Sequence, residues 1–302
     1  MIHVESLTKR YGKLTALDDV SIDVYRGETI ALLGPNGSGK STFLKVIVGL
    51  VIPERGMVEI NGTDAIKYQL KTKRVISYLP QRVFLPAELS AEEVLRYYAR
   101  LRRADESTIS DLLSLSGIKG YSKKRVGQFS GGMLQRLALA VIRLGDSEIY
   151  LLDEPTVNLD LEGLAVFKEF VRILKQAGKT IIIATHTLTE AELFADRIAF
   201  LKSGRLIALE DSVSIRRLSD NVARMMLVVE GSTENAISVL KEFGVRHYEF
   251  VGDVIKTVSS PDSRPQIIDR LQRVGVRVIR FWTEEPSLEY VYEQLIHNEE
   301  RK

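Results

Sequence analysis

The string Gly34-Pro-Asn-Gly-Ser-Gly-Lys40-Ser41 carries the residue types that hold a triphosphate, in the spacing G-x-x-x-x-G-K-[ST]. Gly34, Gly37 and Gly39 let backbone amides turn inward, and the start of a following helix adds its own amides. Lys40 puts a point charge where the β and γ phosphates would lie, and the Ser41 hydroxyl is suited to ligate Mg²⁺. The candidate contact residues are Gly34, Pro35, Asn36, Gly37, Ser38, Gly39, Lys40, Ser41 and Thr42. The apolar run Thr29–Leu33 stands directly before the loop and the helical run 41–50 directly after it, so the required strand-loop-helix context is present. An accidental glycine turn would not need both flanks. By itself the loop fits a kinase, a GTPase or any other protein of the phosphate-loop kind.

The elements that must position this loop are visible as apolar runs. Residues 29–33, 149–152 and 180–184 are short and nearly continuously apolar, the pattern of strands covered on both faces in a parallel sheet. Between the first two lie helical periodicities at 91–102 and 109–115, which predict a helical insertion between strands that are sheet neighbours. Residues 20–24 and 58–60 alternate, with Gly27 and Gly62 at turns, and predict an antiparallel piece at one edge. Residues 198–201 and 205–209, joined by Ser203-Gly204, predict a hairpin.

After a polar stretch at 212–221 the register changes. Strand 225–229, helix 234–243 ending at Gly244, strands 247–250 and 254–258 around Gly252, helix 264–274 ending at Gly275 and strand 276–282 follow in order. That order is the split βαβ of ferredoxin-like domains. A last helix begins after Pro286, with Ser287 as cap, and runs to about His297. The expected fold class is therefore α/β: a phosphate-loop NTPase domain at 1–220, with a parallel core, antiparallel edge and helical insertion, plus a small ferredoxin-like α+β domain at 221–302.

Composition narrows the function. The 302 residues hold 42 basic against 40 acidic side chains, a net charge of +2, which lacks the basic excess that marks a nucleic-acid binder. There is no cysteine, so disulfides and thiolate metal sites are excluded. The first ten residues already carry Glu5, Lys9 and Arg10 and do not resemble a secretion signal. The most apolar run, 46–52, is interrupted by Gly49 and stopped by Pro53, far short of the roughly 20 apolar residues a spanning helix needs. A cytoplasmic protein, reaching a membrane only through a partner, is the expectation.

Further motifs specify the family. Ile149-Tyr-Leu-Leu-Asp153-Glu154-Pro155 is an apolar strand ending in two carboxylates, a Walker B arrangement, and Phe129-Ser-Gly-Gly-Met133 resembles the signature of ATP-binding-cassette (ABC) ATPases. With Tyr11, Gln81, Asn158-Leu-Asp160 and His186 in the right order, residues 1 to about 210 resemble the nucleotide-binding subunit of an ABC transporter. Asp153 at the strand end can hold Mg²⁺ through water, and Glu154, pointing elsewhere because strand neighbours alternate, is free to orient the attacking water. The resemblance implies that Gln81 touches Mg²⁺ and that water, that His186 meets the γ-phosphate, and that Tyr11 stacks on adenine with Ala16 beside it. It also makes Ser130, Gly131 and Gly132, with Asp160, the half of the site given to a second subunit. Each ATP would then lie between one phosphate loop and the other subunit's signature, in a homodimer or a heterodimer with a related chain. Separate transmembrane permease subunits would complete the transporter, with no membrane insertion of this chain and no nucleic-acid partner.

Phe129 and Met133 replace the usual Leu and Gln of the signature, which puts one glutamine contact in doubt and resembles exporters of the ABC-2 type, including drug-efflux and copper-processing ATPases. The closing run from Glu285 to Leu295, with Leu288, Val291, Tyr292 and Leu295 on one helix face, resembles the tail of such subunits. Soluble ABC proteins of ribosomes or DNA repair usually carry two cassettes, long coiled coils or zinc-binding cysteines, none of which is present here. Lys40, Glu154 and His186 argue against a dead nucleotide site. Residues 225–282 carry no catalytic constellation, and a regulatory, dimer-stabilising or platform role fits them equally.

Overall fold

The computed structural model describes residues 1–215, 224–245, 248–251, 254–259 and 261–284. The chain divides into two units, Met1–Ser212 and Val213–Lys302. Residue 220, where the sequence puts the boundary, lies outside the described residues, as do the predicted helix after Pro286 and its Leu288, Val291, Tyr292 and Leu295.

Strands β3 (Thr29–Leu33), β7 (Ile149–Asp153) and β8 (Thr180–Thr185) are buried at every residue, which is why their sequences run apolar without alternation. They join β6 (Ile76–Leu79), β9 (Arg197–Lys202) and β10 (Arg205–Asp211) in one sheet of order β10-β9-β3-β8-β7-β6. All its pairings are parallel except the β9–β10 hairpin. This order corrects one expectation: β3 and β7 are not neighbours, because β8 lies between them. Fully buried β8 can pair along both edges, and nothing local in the sequence records which strand fills the gap.

The antiparallel strands form a sheet of their own rather than an edge of the central one, with β2 (Leu14–Val24), β1 (Ile2–Tyr11), β4 (Arg55–Ile60) and β5 (Thr63–Asp64) in that order. Its inner face, including Ile2, Val4, Leu7, Leu17 and Val58, closes one core with the helix α1 (Lys40–Ile47) and the central strands. On the other face Phe167, Phe170 and Val171 of α6 (Leu161–Gln176) pack with β7 and β8. The expected insertion is present as α3 (Ala91–Arg102), α4 (Ile109–Leu115) and α5 (Gly131–Arg143), which share a third core around Leu95, Leu113 and Leu137. Two shorter helices, α2 (Gln69–Lys73) and α7 (Leu188–Phe194), complete the unit. Among the described residues no helix is long and apolar enough to cross a membrane.

In the second unit β11 (Arg224–Glu230), α8 (Thr233–Glu242), β12 (Tyr248–Val251), β13 (Val254–Val258), α9 (Arg264–Arg273) and β14 (Arg277–Glu284) follow in sequence. The strands pair antiparallel in the order β12-β13-β11-β14, so β11 and β13 lie side by side in the middle, as a split βαβ requires. Leu227, Leu240, Ile255 and Leu271 form its core.

Candidate active site

The loop after β3 is closely packed at Gly34 and Gly39, which admit nothing larger. A Cβ on Gly34 would stand 2.2 Å from the Leu201 carbonyl oxygen and 2.6 Å from Ser38 Oγ. Gly39 has φ 110°, and a Cβ there would reach 2.3 Å from the Ala16 carbonyl oxygen. α1 starts at Lys40 with no side-chain cap from Gly39, so its first amides are left for an anion. Ser38 Oγ is buried and unpartnered, a polar atom that a phosphate oxygen would satisfy.

The charged groups converge behind the loop. Lys40 Nζ, buried, donates to the carbonyls of Gly34 (2.7 Å) and Pro35 (3.1 Å) and lies 4.0 Å from Glu154 Oε1. Burial pushes its pKa down, against the pull of the Glu154 and Asp153 carboxylates. Ser41 Oγ donates to Asp153 Oδ1 (2.9 Å), and the Tyr78 hydroxyl donates to Oδ2 (3.4 Å). Burial raises the Asp153 pKa, the Ser41 bond opposes that rise, and the neighbouring Glu154 charge adds to it. Ser41 and Asp153 thus present two oxygen donors in contact, a donor set that suits Mg²⁺.

Glu154 departs from the expectation in its backbone. β7 ends at Asp153, and Glu154 turns into the left-handed region with φ 47°, its amide donating to the Ala184 carbonyl (2.9 Å). A turn, not strand alternation, separates the two carboxylates. The Glu154 carboxylate accepts from Gln81 Nε2 at Oε2 (3.1 Å) and has His186 Nδ1 3.5 Å from Oε1. Lys40, Gln81 and His186 therefore meet on one buried carboxylate. An open cleft of about 350 Å³ lies in front, lined by Tyr11, Leu14, Ala16, Asn36, Gly37, Gly39, Lys40, Ser41, Thr42, Gln81 and Glu154.

Residues 17–157 match the model of the ABC transporter family. The Nod factor export ATP-binding protein I of Rhizobium meliloti is 33% identical across 99% of this chain and 88% of its own length. The daunorubicin resistance ATP-binding protein DrrA3 of Streptomyces coeruleorubidus is 31% identical across 99% and 97%. This chain belongs to the ATP-binding subunits of ABC transporters. Among solved structures, an ATP-binding subunit of an ABC transporter superposes with TM-score 0.66 at 32% identity, covering 72% of this chain and 92% of that one. A dimeric ATP-binding cassette in a post-hydrolysis state with ADP and Pi gives 0.65 at 27%, covering 70% and 99%. The ABC subunit binds and hydrolyses ATP to energise transport.

Of the other residues predicted for this ABC ATPase, Ser130, Gly131, Gly132 and Asp160 do not line the cleft, and Tyr11 stands at its rim. Ser130 caps α5, its Oγ accepting from the Met133 amide (3.3 Å), and Gly131 and Gly132 lie against Asn158. Asp160 caps α6 through the Gly163 amide (2.7 Å). Tyr11 is half exposed, with the Lys9 ammonium 5.3 Å from its ring centre. Sequence reasoning missed Leu14, Tyr78 and Gln135. Leu14 pairs with Tyr11 across the β1–β2 turn, and a leucine two residues beyond Gly12 was its only signal. Tyr78 sits within the strand before Gln81 and is brought to Asp153 by the β6–β7 pairing. Gln135, buried on α5, donates to the Pro155 carbonyl (2.9 Å) and ties the signature helix to the turn after Glu154.

Proposed function

We propose that Glu154 is the base that orients and deprotonates the attacking water in an ATP site completed by a second subunit, and that the subunit drives export. The observation that carries this is the convergence of Lys40, Gln81 and His186 on the buried Glu154 carboxylate, directly behind the phosphate loop. Those groups hold the carboxylate beside the place where a γ-phosphate would be bound. Ser41 and Asp153, with Gln81 near, would hold Mg²⁺, which neutralises phosphate charge when bound. Tyr11 and Leu14 offer an apolar rim for the adenine base.

Ser130, Gly131 and Gly132 present a helix start away from the cleft of their own chain, which supports a head-to-tail pair in which each signature closes the other subunit's site. That pair is a homodimer or a heterodimer with a related ATPase. Separate permease subunits would hold it on the cytoplasmic face of the membrane. Relatives named for Nod factor export and daunorubicin resistance support the outward direction.

Glu154→Gln tests the reading. The variant keeps the shape and should bind ATP as the wild type does, while turnover falls by about 10²–10⁴-fold and a nucleotide-bridged dimer accumulates on size-exclusion chromatography. Wild-type turnover in that variant would remove Glu154 from the reaction.

A further inference from the structure

The turn after Glu154 is held from two sides. From α5, Gln135 grips the Pro155 carbonyl. From α7, Glu190 takes the next residue: the Thr156 hydroxyl donates to Glu190 Oε1 at 2.5 Å. The second oxygen of the same carboxylate accepts from the hydroxyl of Thr185 (2.6 Å), which is fully buried at the end of β8. Thr185 is the residue before His186, and its hydroxyl also accepts the Thr187 amide (3.1 Å). One carboxylate therefore bonds the residue preceding His186 and the residue two beyond Glu154.

Glu190 lies in the first turn of α7, where the helix dipole favours a negative charge. Hydrogen bonds to a carboxylate are roughly twice as strong as neutral ones, so this brace is stiffer than a pair of hydroxyl contacts would be. What it fixes is the separation of two backbone segments whose side chains, Glu154 and His186, stand 3.5 Å apart. The phosphate loop is tied to the same strand end by a backbone contact, the Gly34 amide donating to the Thr185 carbonyl (3.3 Å), which does not itself use the Glu190 side chain.

We infer that Glu190 is a positioning residue for hydrolysis, setting His186 against Glu154 through Thr185 and Thr156. The inference rests on the proposed roles of Glu154 and His186. A displacement of the order of 1 Å between reacting groups costs about 10²-fold in rate, while ATP affinity, supplied by residues 34–42, is spared. The geometry thus predicts a defect in turnover and not in binding.

The test uses the full chain in its ATP-hydrolysing form, with Glu190→Ala, Glu190→Gln, Thr156→Val and the double variant Glu190→Ala/Thr156→Val. Glu190→Ala should lower kcat by about tenfold or more with KM for ATP within about threefold and Tm within a few degrees of wild type. Glu190→Gln keeps one acceptor and can donate to the other hydroxyl, so it should recover much of the loss. Thr156→Val should lower kcat less, and the double variant should be no slower than Glu190→Ala alone. Wild-type kcat in Glu190→Ala, equal losses in kcat and ATP affinity with a lowered Tm, or additive effects in the double variant would each overturn the inference. Failure here with Glu154→Gln still inactive rejects the brace alone; an active Glu154→Gln rejects the reading beneath it.

Discussion

Two helices of the first unit begin with glycine and serine, yet their N-termini are different objects. At α1 the cap residue is Gly39 with φ 110°, no side chain closes the first turn, and Lys40, Asp153 and Glu154 crowd behind it in near-complete burial. At α5 the cap is Ser130, whose hydroxyl already takes the Met133 amide, and both Ser130 and Gly131 face solvent. The first end carries no side-chain cap, and the buried Ser38 hydroxyl beside it has no protein partner, the arrangement that suits an anion. The second is complete as a fold element and has only spare anion affinity to offer. The chain concentrates its conformational cost at the phosphate loop, and the α5 start, proposed to close a neighbour's site, is an ordinary capped helix.

The sharpest way to break this contrast is to add one methyl group in the loop that leads into α1 and one at the start of α5. Gly34→Ala should disrupt the loop itself, because the Leu201 carbonyl oxygen, a backbone atom, cannot yield to a Cβ 2.2 Å away. Loss of ATP binding and a stability decrease of about 1–3 kcal/mol are expected, read by nucleotide titration and urea unfolding. Normal ATP affinity in Gly34→Ala would mean the loop tolerates what its packing forbids. Gly131→Ala meets nothing closer than Asn158 Cβ at 3.5 Å. It should leave Tm and ATP affinity of the isolated subunit unchanged, yet cut dimer-dependent turnover by roughly tenfold or more by intruding on a nucleotide held by the partner. Normal turnover in that variant would show that the α5 end meets no nucleotide.

The smallest effect lies outside both ends and serves as their control. His3 Nδ1 stands 2.6 Å from Asp23 Oδ1 on the antiparallel sheet, and that bond raises the His3 pKa above its ordinary 6.5. A raised histidine pKa adds stability that is full below the ordinary value and is lost as pH rises through the folded one. NMR titration should place His3 above 6.5 in the wild type and nearer to it in Asp23→Asn, with ATP turnover untouched. A His3 pKa indifferent to Asp23 would refute the pairing.

The strands that carry the chemistry were legible because burial on both faces leaves its mark on every residue, as at Thr29–Leu33. The strand Ile2–Tyr11 was not, because only Ile2, Val4 and Leu7 point into the core and a left-handed Ser6 breaks their alternation. The phosphate loop was readable since its demands are local: glycine where a Cβ will not fit, lysine and serine at the helix start. Tyr78, Gln135 and Glu190 were silent for the opposite reason. Each bonds a residue between 20 and 75 positions away, Glu190 in addition to its local bond to Thr185, through side-chain contacts that exist only once the sheet order is set. That β8 separates β3 from β7 was hidden in the same way.

Glu154 stands in a backbone conformation that glycine and asparagine adopt freely and glutamate does not. Holding it there costs on the order of 1 kcal/mol of folding stability. With Glu154 as the proposed base, heat resistance and catalysis are opposed at this position. A library screened for thermal tolerance alone would drift toward the small residues and retain a well-folded subunit that grips ATP and leaves it intact.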